Sequence, residues 1–150
     1  MPYKYIEDKF IADVAFEAWG RTREELFMAA SDATAGLMVE NLKNIENLNE
    51  NNENNENKKI ELNETEIDML LFDVLQELIF FKDAYQLICR FRNVKITSEN
   101  NSMVFTGTAV GEKIDYKKHN LAVDVKAVTL HEFKVQYSNN LWKAHVVLDI

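Results

Sequence analysis

Two aspartates stand far apart in the chain, each in strand-like surroundings. Asp149 closes an alternating run from Trp142 to Ile150. In a strand, Val146 and Leu148 face one side of a sheet while Val147 and Asp149 face the other. The Asp149 carboxylate would then lie beside the α-carboxylate of Ile150. Asp13 stands between Ala12 and Val14 in a second such stretch, Ile11 to Trp19. An unpaired carboxylate in so apolar a segment carries a desolvation penalty, unless it bonds to backbone amides at a bend between strands. If the two strands pair, three oxygen-rich groups meet, and a hard cation would offset their repulsion. An all-oxygen donor set suits calcium, magnesium or manganese better than zinc.

Other site chemistries find little support. Of the four glycines only Gly107 and Gly111 are near each other, too few for a phosphate-cradling loop. No Gly-x-Ser-x-Gly elbow and no Cys/His spacing for zinc occurs. His119 falls in a polar loop, His131 at a strand junction and His145 in the last strand, and a structural role is the simpler account of each. His131 is the best exception, because Lys126 and Asp124 lie near it in sequence. The lone Cys89 sits among apolar residues and reads as a small buried hydrophobe. It excludes an intrachain disulfide and suggests a reducing compartment, so a cytosolic setting is expected. The opening from Met1 to Tyr5 is unlike a secretory leader, and no apolar run is long enough to span a bilayer.

The 150 residues suit one domain, and 47% hydrophobic residues can supply its core. A net charge of −8 argues against direct nucleic-acid binding, which relies on Lys and Arg meeting phosphates. The basic pairs Lys117-Lys118 and Arg90-x-Arg92 are too small to change that. An acidic chain of this kind docks on a basic partner surface or holds cations.

Tyr3 to Phe10 and Val14 to Trp19 read as strands, with Gly20 closing the second. Thr22 to Glu25 is a capping box, in which the Thr22 hydroxyl accepts from the Glu25 amide and the Glu25 carboxylate reaches back. Behind it Leu26, Ala30, Ala33 and Leu37 share one helical face, beside Phe27, Thr34 and Met38. The small residues predict close approach to a sheet. Residues 41–57 are mostly Asn and Glu and predict a solvated, mobile loop. Lys58 to Leu62 is a short strand. Asn63 to Glu66 is a second capping signal, followed by Ile67, Leu70, Leu71, Val74, Leu75, Leu78 and Phe81 at helical spacing. Glu66, Asp73, Gln76 and Glu77 form its wet face. The remainder reads as strands over 86–97, 103–110, 122–130, 132–137 and 141–148, with turns at Asn100-Asn101 and 138–140. Runs of antiparallel strands with two separate amphipathic helices define an α+β fold in a single domain.

Several short segments, in order, resemble the archease family. They are Ala12 to Val14, Glu17 to Gly20, Glu24 to Phe27 with Ala29-Ala30, Leu71 to Phe80, Val125 to Thr129 with His131, and Val147 to Ile150. The resemblance covers nearly the whole chain except the Asn/Glu loop. It implies a small non-enzymatic activator of the RtcB-type RNA-splicing ligase, which joins tRNA halves and forms a guanylylated histidine. It also implies a divalent metal site at Asp13, Asp149 and Ile150, with calcium the first candidate in isolation and magnesium or manganese also suited. Lys126 and His131 are secondary functional candidates. The family commonly has His-Thr ahead of its Ala-Asp, where this chain has Phe10-Ile11. The apolar pair should make the Asp13 surroundings drier.

The residues admit two further accounts: a stand-alone metal-dependent phosphohydrolase using the same cluster, and a general chaperone-like binding module. The first has no strong nucleophile or base beyond His131. The second needs an exposed apolar patch that a sequence does not display.

Overall fold

The computed structural model describes residues 2–6, 13–39, 56–114 and 123–150. These form β1 (Tyr3–Ile6), β2 (Asp13–Gly20), α1 (Arg23–Met38), β3 (Glu56–Glu64), α2 (Ile67–Tyr85), β4 (Leu87–Glu99), β5 (Ser102–Lys113), β6 (Ala127–Ser138) and β7 (Leu141–Asp149). Every strand pairing is antiparallel, in one sheet of order β1-β2-β7-β6 and another of order β3-β5-β4. Both helices pack against strands of both sheets. The α+β, single-domain expectation holds.

Contact with two sheets explains the composition of α1. Ala29, Ala30, Ala33 and Ala35 are all buried, because a helix covered on several sides needs small residues where backbones approach. Its start follows the capping expectation with one adjustment. The Glu25 amide donates to Thr22 Oγ1 at 3.1 Å, but the Glu25 carboxylate accepts from the amide of Arg21, at 2.8 Å. Gly20 permits the handover from β2, since a Cβ there would lie 2.6 Å from the Leu26 amide nitrogen.

The second capping signal does not form. β3 stays paired through Glu64, with Asn63 opposite Val104, so the strand ladder claims the residue that would have capped. The helix begins at Ile67 with Glu66 as its N-cap, and no side-chain cap bond is made. The apolar spacing of α2 is as read: Leu70, Leu71, Val74, Leu75, Leu78 and Phe81 are buried. Its wet face is less wet than expected, because Gln76 Oε1 accepts from the Val128 amide of β6 at 2.8 Å.

Both hairpin turns use consecutive left-handed asparagines, Asn100-Asn101 at φ 50° and 65° and Asn139-Asn140 at φ 54° and 61°. That geometry suits the twist of two-residue hairpins. The two strands predicted on either side of His131 are a single strand, β6. Its pairing jumps from Thr129↔Val147 to Lys134↔His145, with Glu132 at φ 51° in the bulge. The inserted residues reset the alternation, so Val128 and Phe133 both serve the core side. β3 starts at Glu56, inside the predicted loop, where Glu56 and Asn57 oppose Gly111 and Val110. The rest of that loop, the end of the first predicted strand and the Phe10-Ile11 pair lie outside the described residues.

Candidate functional site

β2 and β7 pair antiparallel along their full length, and the register sets Asp13 directly opposite Asp149. Residues opposed in this way point to the same face, with Cβ atoms about 4.5–5.5 Å apart. Phe16, Ala18, Val146 and Leu148 line the buried face, and Asp13, Glu17, His145 and Asp149 share the other. Ala127 of β6 flanks Asp149 on its far side. This outer face is not uniformly wet, because Ala15 and Val147, one pleat inward from the aspartates, are buried.

Asp13 is exposed, which corrects the expectation of a desolvated carboxylate. As the first residue of β2 it stands at the rim of the sheet, where its apolar neighbours in sequence do not enclose it. Asp149 is half-buried, and Ile150 packs against the core. Two carboxylates thus face each other with residue 150 alongside, an arrangement whose donors are all oxygen. That donor set fits a hard divalent cation with water completing its shell. Among the described residues no group of three His, Cys, Asp or Glu side chains is close enough to hold a metal, so Ile150 would have to supply the third protein ligand.

The end of β7 is tied down from a second direction. The Lys126 amide donates to the Asp149 carbonyl at 2.8 Å, and the Val123 amide to Leu37 at 3.2 Å. Val125, between them, is fully buried. Lys82 in the last turn of α2 anchors the same segment, with Nζ 2.5 Å from Asp124 Oδ1 and 2.9 Å from Asp83 Oδ1. Burial alone would lower the Lys82 pKa, but the bonds to Asp124 and then Asp83 outweigh it and hold it above the ordinary lysine value. The Lys82 hydrogen bond also holds the Asp124 carboxyl below the usual carboxylate value. Lys82 therefore positions the site from outside it. Nothing in its helical spacing marks it, apart from being a charge near the apolar face.

The remaining candidates are distributed elsewhere. Lys126 is exposed beside the anchored segment. His131 is exposed on the β6 bulge, with Nε2 4.0 Å from Glu132 Oε1, and Asp124 is engaged with Lys82 rather than with it. His145 uses Nδ1 on the Glu132 carbonyl at 2.9 Å and so braces the bulge. It is four residues from Asp149 along β7, roughly 13 Å away. His119 lies outside the described residues. Cys89 is buried as expected, and burial pushes its thiol up to about 12, which leaves it protonated and inert.

The chain matches the model of the Archease protein family (MTH1598/TM1083) over residues 3–150. It is 32% identical over 149 residues to the protein archease of Methanosarcina barkeri, covering 99% of this chain and 95% of that one. It is 32% identical over 140 residues to the protein archease of Pyrococcus furiosus, covering 93% of each. The solution structure of Methanobacterium thermoautotrophicum protein 1598 superposes with a TM-score of 0.79 at 31% identity, over 99% of both chains. The crystal structure of a Thermotoga maritima archease, described as a possible chaperone, shares the fold at a TM-score of 0.55 and 20% identity. This chain belongs to the archease family.

Proposed function

We propose that this protein is a non-enzymatic accessory factor that activates an RtcB-type RNA-splicing ligase in the cytosol, by promoting ligase guanylylation and multiple turnover. The observation that supports it is the register of β2 on β7, which opposes two carboxylates at the rim of a rigid sheet. Asp13, Asp149 and the α-carboxylate of Ile150 would hold a divalent cation, calcium in isolation or magnesium or manganese in the working complex. Bound there, the cation would offset phosphate charge during guanylyl transfer. The protein's own part is to hold the carboxylates on strand ends that need no rearrangement before docking. Lys126 and the His131 bulge flank the same end of the sheet and would meet the partner. The acidic net charge suits a basic surface around a nucleotide site.

A hydrolase would need a nucleophile or base beside the cation, and His145 stands too far along β7 to serve. No helix among the described residues is long and apolar enough to cross a membrane. The test is a single-turnover guanylylation assay of the cognate ligase, with and without this protein. Faster formation of the guanylylated ligase is expected. No stimulation of a demonstrably active ligase would refute the proposal, and phosphatase turnover by the protein alone would replace it with the hydrolase.

A further inference from the structure

At the opposite end of β2 and β7 a cleft of about 660 Å³ opens between the strand ends and α1. Pro2, Trp19, Met28 and Leu141 form its apolar walls, and Asp32 and Arg92 also line it. Arg92 is held with unusual definition. Its Nη1 and Nη2 donate to the two carboxylate oxygens of Asp32, at 3.1 and 3.0 Å, and Nη1 also donates to the Phe91 carbonyl at 2.7 Å. A guanidinium has five N–H donors in one plane. Asp32 thus occupies the end-on face, and the side-on edge, Nε–H with the outer Nη2–H, has no partner among the described residues. A β-bulge directly after Arg92, with Asn93 at φ 55°, breaks the ladder there and can re-aim the side chain.

The local charge has a definite sign. Asp32 also has Arg90 Nη1 at 3.8 Å, so one carboxylate stands between two guanidiniums, which leaves one positive charge. At the rim Arg21 and Glu25 cancel. A fixed pair of parallel donors carrying a single spare charge matches a group with two coplanar oxygens and one negative charge. The apolar walls match a ring or branched chain attached to it, and the volume is that of an ordinary small-molecule site.

We propose that this cleft binds a small apolar monocarboxylate, its carboxylate on the Arg92 side-on edge and its hydrophobic body against Trp19 and Met28. A phosphate ester is the poorer fit, because its second charge and third oxygen find no matching donor.

The test is a titration followed by ¹H–¹⁵N spectra that include the Arg92 Nε–H and the Trp19 indole N–H, with N-acetyl-phenylalanine as probe. Both signals should shift and saturate at millimolar probe, and the matching carboxamide should bind about tenfold more weakly. Arg92→Lys keeps the charge and a bond to Asp32 but loses the fork, and should weaken binding by about tenfold in a folded protein. If that variant loses its spectral dispersion, Met28→Trp decides, since it fills the cleft without touching the charges and should abolish the shifts. The proposal is overturned by silence of both signals up to about 10 mM probe, a range that still detects weak complexes. It is equally overturned if the carboxamide or phenyl phosphate binds as well as the carboxylate, or if Met28→Trp binds normally.

Discussion

The two ends of the four-stranded sheet treat charge in opposite ways. At one, Asp13 and Asp149 face each other across the register, like charges at an exposed rim. At the other, Asp32 reaches across from α1 to Arg92 on β4, opposite charges paired in a half-buried setting. Like charges directly opposed on a sheet destabilise it, whereas a bidentate pair removed from bulk water contributes. The first arrangement therefore costs the isolated protein something that only a cation or a partner can return. The second is satisfied within the chain, with one edge to spare. Stability and function are in this sense divided between the ends of the same two strands.

The sharpest way to break the comparison is Asp13→Ala. It should abolish most stimulation of ligase guanylylation while leaving thermal stability unchanged or slightly higher, because it removes a repulsion and no bond. A tag appended after Ile150 should do similar harm by removing the terminal carboxylate. Glu17→Ala is the control. Glu17 shares the outer face of β2 but stands opposite His145, with Lys4 Nζ 3.9 Å away. Its variant should stimulate normally. Normal activity of Asp13→Ala and of the tagged protein would discard the metal-centred mechanism.

Asp32→Ala tests the other end. Removing the carboxylate leaves Arg90 and Arg92 facing each other partly buried, and urea denaturation should show a loss of about 1–3 kcal/mol. A loss no larger than that of Glu17→Ala would mean that solvent screens the cluster and that the two ends differ less than their geometry implies.

A smaller effect lies on α2. Burial, and then repulsion from Asp73, raises the Glu77 pKa above its ordinary value, and Asp73 is raised by burial and then by Glu64. A raised acid pKa means that the folded state holds its proton more tightly than the unfolded state. Stability is thus lost as pH rises from the ordinary glutamate value through the folded one. Glu77→Gln should raise the melting midpoint modestly at neutral pH, and the gain should vanish at acid pH, where Glu77 is protonated in both states. A gain that persists in acid would assign it to helix propensity instead.

The second strand, both helices, the Thr22 cap and both asparagine turns are legible in the sequence because each is decided within a few residues. Periodicity reports which face is buried, and a hydroxyl three residues ahead of an amide can only cap it or not. The Asn63 cap failed for the complementary reason. Local chemistry favoured it, but β5 offered the same backbone a ladder, and longer-range pairing prevailed. The β6 bulge was hidden because three extra residues reset an alternation that looked like two strands.

The same division governs the sites. That Asp13 and Asp149 carry the chemistry of a hard-cation site follows from their type and from the alternation around them. That they meet depends on β2 pairing with β7 in one register, since a slip of a single residue would turn one carboxylate into the core. Nothing in the sequence singles out Asp32 with Arg92, sixty residues apart on different elements. Side-chain type and local period are properties of the chain, readable at any position. Contact between distant residues is a property of the packed whole, decided when the sheets and helices bury their apolar faces together.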